Sequence, residues 1–199
     1  WIKVKELISA GMWNSISRLS QVLSDGLDLV ITNIWISAYL MGELSIAQQI
    51  PTYISTLTNT LINLFSPNLT MYYAKDDTEA VVKELKLSMK FSSFFVNIIF
   101  CILVIFGKYF MQLWVPNQDV NLIYSLLVVI MMSLLVSGVT TSLNNVFLVT
   151  NRLKVNSIFW LIISFTNVLL VFIFLNTTSL GIYAVAGVSK VTGILGNLI

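Results

Sequence analysis

Arg18, Asp25, Asp28 and Lys190 lie within long apolar segments of a chain that is 57% hydrophobic and only 10% charged. A charge at bilayer depth costs roughly 2.5–3.5 kcal/mol on insertion scales, so such residues face a bundle interior or a water-filled cavity and are candidates for function. Two chemistries suit these residue types. A guanidinium or ammonium can hold phosphate oxygens. A carboxylate at that depth must be paired, protonated or hydrated, which makes Asp25 and Asp28 candidates as well. A structural ion pair is the plainer alternative for Arg18, and close packing is the plainer one for the small residues Gly187 and Gly193 around Lys190.

Polar residues extend this pattern. Asn14, Ser17, Gln21, Ser24, Asp28 and Thr32 recur at helical spacing along the first segment, with Arg18 and Asp25 beside them. Thr52, Thr56, Asn59, Asn63, Ser66 and Thr70 do the same along the second. Steps of three and four draw one stripe down each helix. A polar stripe in lipid faces a neighbouring helix or water. Hydroxyl and amide side chains alone can serve as helix–helix glue at roughly 0.6 kcal/mol each. A stripe that also carries Arg and two Asp favours a hydrated cavity, because glue does not need charge. Candidate binding residues are therefore Arg18, Gln21, Asp25, Asp28, Asn59 and Asn63, with Lys190 ranked below them.

Helices must position these residues. The chain has a mean hydropathy of +0.88. Residues 44–74, 120–151 and 155–189 contain no Asp, Glu, Lys or Arg. One crossing needs about 20 apolar residues, so these intervals are membrane segments, and the last is long enough for two. The reading is an all-α integral membrane protein with six crossings at about 7–37, 44–74, 78–107, 120–149, 155–175 and 180–199. Asp76 with Glu79 predicts a capping box before the third. Pro51 and Pro67 predict bends in the second, with Ser66 and Asn68 available to satisfy freed carbonyls. Cys101 reads as a buried small hydrophobe.

Eight basic residues (Lys3, Lys5, Lys75, Lys83, Lys86, Lys90, Arg152 and Lys154) fall on one side of this topology. Lys108 alone falls on the other. That asymmetry predicts a cytoplasmic N-terminal end. The aromatics of residues 109–114 then belong to an outer belt. The chain opens at Trp1 and stops at Ile199 within an apolar segment, which predicts a fragment of a longer multi-pass protein.

Several classes are excluded. The chain has no His, which removes the usual general base and metal ligand. No Ser sits in a nucleophile elbow, and no Gly-rich phosphate loop precedes a basic residue. The reading is a non-enzyme without metal or cofactor. Nucleic acid is not an expected partner, since the basic residues do not cluster on one soluble face. The loops are short, so any activity belongs inside the membrane.

Several segments together resemble a known family. They are Asp28-Leu29-Val30-Ile31-Thr32, Met41-Gly42-Glu43-Leu44-Ser45-Ile46-Ala47, Ser66-Pro67-Asn68-Leu69-Thr70 and Asp76-Asp77-Thr78-Glu79. Gln112-Leu113-Trp114-Val115, Thr150-Asn151-Arg152-Leu153-Lys154 and Leu180-Gly181-Ile182-Tyr183-Ala184-Val185-Ala186-Gly187 follow in order. The chain resembles the polysaccharide (O-antigen type) flippases of the multidrug/oligosaccharidyl-lipid/polysaccharide exporter superfamily. It departs from them at Val115, where the family has Gly after the Trp.

The resemblance implies one six-helix lobe, the C-terminal one, of a two-lobe MATE-like transporter whose N-terminal lobe belongs to the same polypeptide. It implies a bacterial cytoplasmic membrane and flipping of undecaprenyl-pyrophosphate-linked oligosaccharide units by alternating access. In that setting Arg18 meets the pyrophosphate, and Gln21, Asp28, Asn59 and Asn63 meet sugar hydroxyls. A cation-coupled multidrug exporter of the same superfamily and a non-transporting structural bundle are the alternatives.

Overall fold

The structure, a computed structural model, describes residues 11–13, 15, 19, 26–150 and 153–198. Arg18, Gln21 and Asp25, with the N-terminal part of the first expected helix, lie outside the described residues.

Helix α1 spans Gly26–Ile36, and its last five residues, Thr32–Ile36, are π-helical. It is followed by α2 (Ala38–Asn63), α3 (Ser66–Ala74), α4 (Thr78–Trp114), α5 (Val120–Val149), α6 (Leu153–Thr177) and α7 (Ile182–Leu198). With α2 and α3 taken as one broken passage, these are the six helical passages of a membrane lobe. No strand occurs among the described residues.

Three helices among the described residues are long and apolar enough to cross a membrane by themselves: Thr78–Trp114, Val120–Phe147 and Ser157–Thr177. Their outer surfaces carry Phe94, Ile105, Ile162 and Phe165, all well exposed. A continuous apolar exterior of this kind is what lipid contact requires. The protein is an all-helical, multi-pass membrane protein. α2 and α7 fall short for separable reasons. α7 has 17 described residues, at the short end of what a crossing needs, and α2 carries many of the polar side chains described below.

α5 is the hub. It packs against α2, α3, α4, α6 and α7. It buries apolar residues on several sides, as suits a central helix, and carries a line of hydroxyls at Ser133, Ser137 and Thr141. Ile123, Leu126, Leu127, Ile130 and Met131 are buried there with Leu44, Ala47 and Ile54 of α2, Met111 of α4, and Val185 and Ala186 of α7.

The α4–α5 seam is close and dry. Gly138 lets the helices approach so closely that a Cβ there would stand 2.9 Å from Val96 Cγ2. Buried Ser88 and Ser142 share a hydroxyl–hydroxyl hydrogen bond of 3.0 Å across it.

Several local expectations need correction. The second helix begins at Ala38 rather than 44. Ser37 has extended backbone, and its hydroxyl accepts from Leu40 N–H at 3.1 Å, so a serine N-cap starts α2 one residue after α1. Glu43, expected in a loop, is instead fully buried in α2, where its Oε1 accepts from Asp119 N–H at 3.3 Å.

The expected 44–74 helix breaks at Leu64-Phe65, and Pro67 occupies the first turn of α3, where a missing N–H is harmless. Asn68 does not turn back on freed carbonyls. Its amide donates to Glu84 Oε1 at 2.8 Å, tying α3 to α4. The cap of α4 is Asp77, whose side chain accepts from Ala80 N–H at 2.9 Å. Asp76 has a φ of +56° and lies outside the helix, so the Asp76/Glu79 capping box is not formed.

α4 also runs seven residues past the expected end at 107, because Gly107 is a contact residue and not a terminator. A Cβ there would meet the Tyr124 ring at 3.2 Å. Termination comes at Trp114-Val115, ahead of Pro116. Cys101 is exposed, not buried. In a membrane protein an apolar neighbourhood can mean lipid as readily as core.

Candidate functional site

Asp28 sits on the α1 turn that leads into the π-helical segment and is buried. The Thr32 hydroxyl donates to the Asp28 carbonyl at 2.7 Å. A π-turn widens the helix locally and is frequent at functional positions. Here it directly follows a buried carboxylate in a chain with few charges.

A hydrogen-bonded relay reaches this carboxylate from α6 and α7. Ser189 Oγ donates to Asp28 Oδ1 at 2.6 Å. Asn167 Nδ2 donates to Ser189 Oγ at 3.2 Å. Thr192 Oγ1 donates to Asn167 Oδ1 at 2.7 Å. The direction is consistent throughout: each group receives on its acceptor side and donates toward Asp28. Such relays fix side-chain geometry in a low-dielectric interior. Three helices thus converge on one carboxylate oxygen.

Asp28, Asn167, Ser189 and Thr192 line a cavity of about 230 Å³, which Lys190 also lines. A second, larger cavity of about 420 Å³ adjoins it. It forms a groove walled by Gln48, Thr52, Thr56 and Asn59 of α2, Ser133, Ser137 and Thr141 of α5, Trp160 of α6, and Lys190 and Asn197 of α7. Ser55, Ser133, Ser137, Trp160, Lys190 and Asn197 belong to both. Lys190 is the cation common to the Asp28 compartment and the groove. No carboxylate lines the groove itself among the described residues.

The α2 stripe divides at this point. Thr52, Thr56 and Asn59 face the groove. Asn63, at the last position of α2, is exposed and does not line it. Ser66 and Thr70 belong to α3, beyond the break, where the Thr70 hydroxyl donates to the Ser66 carbonyl at 2.9 Å. Pro51 is buried within α2.

The structure therefore brings together Asp28, Lys190 and Asn59, and leaves Asn63 aside. Arg18, Gln21 and Asp25 are among the residues not described. Sequence reasoning missed Asn167, Ser189, Thr192, Ser133, Ser137 and Trp160. A signal existed for some of them: Ser133, Ser137 and Thr141 repeat every fourth residue. It lay inside a strongly apolar stretch, where isolated hydroxyls read as packing.

Fold and site together define a helical membrane lobe with a polar, cation-bearing groove on one face and a buried carboxylate behind it. No family model matches the chain. It is 26% identical over 195 residues to the uncharacterized membrane protein EpsK of Bacillus subtilis (strain 168), a match that takes in 98% of this chain and 38% of that protein. Among solved structures it aligns with a MATE protein crystallised in complex with MaL6. The TM-score is 0.73 at 15% identity, over 98% of this chain and 44% of that one. The chain thus spans less than half the length of either. The likeness to the solved structure establishes the fold, one lobe of a two-lobe MATE-like architecture.

Proposed function

We propose that this chain is one lobe of a transporter that flips undecaprenyl-pyrophosphate-linked oligosaccharides from the cytoplasmic to the outer leaflet. The observation that carries the reading is the chemistry of the groove. Among the described residues, hydroxyls and amides from three helices surround the Lys190 ammonium, and no carboxylate lines the wall. Sugar hydroxyls need neutral donors and acceptors. A pyrophosphate needs a cation. Both are supplied in one concave surface.

The lobes rock about this groove while the lipid tail stays in the bilayer. Lys190, and Arg18 from the first helix, hold the pyrophosphate, and Asn59 and Gln21 contact sugar. Asp28, held by the Ser189–Asn167–Thr192 relay, binds the coupling H⁺ or Na⁺, with Asp25 as the other carboxylate on that helix. The second reading, a cation-coupled multidrug exporter, is favoured by the burial of Asp28 beside the groove, because an organic cation seeks a carboxylate. Lys190 in the same compartment opposes it, since like charges repel.

The test uses the full-length protein in its cell. Lys190→Met should cause lipid-linked oligosaccharide to accumulate in the cytoplasmic leaflet, with export reduced about 10-fold or more, the scale of losing a charge-assisted contact. Unchanged surface glycan in a strain lacking the gene, together with lost efflux of cationic dyes, would replace the flippase reading with the exporter one.

A further inference from the structure

Trp160 differs from the other described tryptophans. Trp35 meets Phe172 edge-on at 5.6 Å. Trp114, the last residue of α4, packs with Phe110 at 5.7 Å. Trp13 lies under Lys154 Nζ, 5.6 Å from the ring centroid. Each of these has an aromatic or cationic neighbour. Trp160 has no ring partner among the described residues, is half-buried, and lies seven residues inside α6, ~10 Å along the axis from its start.

Its surroundings are unusual for an indole. Among the described residues, Trp160 is the one aromatic in the wall of a groove otherwise built mostly of Ser, Thr, Asn and Gln, with Lys190 close by. Burying an aromatic face against polar side chains gains little in packing. As a ligand surface it has a clear use. A pyranose presents an apolar C–H face and a rim of hydroxyls. An indole supplies a flat apolar face and one N–H donor. Ser133, Ser137, Asn59 and Asn197 supply both donors and acceptors around it. An aromatic cation could also stack on an indole, but Lys190 in the same wall disfavours a second positive charge there.

We propose that Trp160 is the sugar platform of the groove. Its indole face takes the apolar face of one pyranose of the carried glycan, the hydroxyls and amides of α2, α5 and α7 take the rim, and Lys190 takes the anionic linkage. Trp160 therefore decides whether the protein distinguishes a glycosylated carrier from a bare one. This rests on the flippase reading and deepens it.

The experiment uses full-length protein in nanodiscs and measures affinity for two probes: undecaprenyl pyrophosphate, and undecaprenyl pyrophosphate bearing one N-acetylglucosamine. The wild type should prefer the glycosylated probe. Trp160→Ala should weaken that probe by roughly 5- to 10-fold and leave the bare one within about 2-fold, as expected for one lost stacking contact. Trp160→Phe should recover most of the preference and shows that the site still folds.

Equal weakening of both probes by Trp160→Ala, or a preference that survives it, overturns the platform while the flippase reading stands. Wild-type protein that binds neither probe overturns the flippase reading itself, and the platform with it. Trp160-dependent binding of tetraphenylphosphonium, with no glycan preference, assigns the indole to a cation and overturns the proposal.

Discussion

α5 has two faces that use the same residue types for opposite ends. Toward α4 it presents Gly138 and Ser142, which meet Val96 and Ser88 at contact distance in a seam closed to water. Toward α2, α6 and α7 it presents Ser133, Ser137 and Thr141, which stand along an open groove. A serine every few residues means glue on one side and a groove wall on the other. The difference lies in the partner. α4 offers small side chains that let the backbones close, whereas α2 offers Gln48, Thr52 and Asn59, and α7 offers Lys190 and Asn197, which hold space open. Hydroxyls alone therefore do not mark a transport path. What sets the groove apart is that its hydroxyls stand beside Lys190 and Trp160.

The largest effect should come from closing the dry seam. Gly138→Leu forces a side chain into Val96 and should destabilise the fold by about 1–3 kcal/mol, the usual cost of overpacking. It should appear as a lower melting temperature in detergent, with groove binding preserved in the protein that still folds. A seam that accepts leucine without loss would mean that the two faces are packed alike.

A sharper separation comes from thiol labelling. With Cys101 replaced by Ala, single cysteines at Asn59 and Ser137 should react with a membrane-impermeant, water-soluble reagent added to the open side, and one at Ser88 should not. Equal protection of all three would reduce the groove to a packed interface and support the structural-bundle alternative.

The smallest effect belongs to the seam's hydrogen bond. Ser88→Ala with Ser142→Ala removes both partners and should change stability by roughly 0.6 kcal/mol or less, with export unaffected. Lost export would show that the seam moves during transport.

Much of this was legible in residue order alone. The charge-free interval 120–151 holds α5, Val120–Val149, whereas the interval 44–74 breaks into α2 and α3. Apolar length is a local property and survives without knowledge of neighbours. Asp28 and Lys190 stood out for the same reason, since a charge in an apolar run is conspicuous whatever surrounds it. Asn59 was found because its stripe is periodic.

Other features depended on contacts across the chain. Gly107 reads as a helix end in sequence, yet it is a packing position because Tyr124 lies against it. Glu43 reads as a loop acid, yet Ser37 starts the helix early enough to carry it inside, against the α4–α5 connection. Asn167 and Ser189 are 22 residues apart and meet only because α6 and α7 pack as neighbours. Asp28 and Ser189 are 161 residues apart.

The sequence by itself determined that the protein lives in a bilayer and which stretches are apolar enough to be helices there, and it singled out Asp28 and Lys190, because hydrophobic length and the cost of burying charge act on each segment separately. Only the tertiary structure decided which hydroxyls are glue and which are wall, that Asn63 stands aside, and that Trp160 and Lys190 share one groove. Those outcomes depend on which helix faces which, and pairwise packing is not written in any one segment.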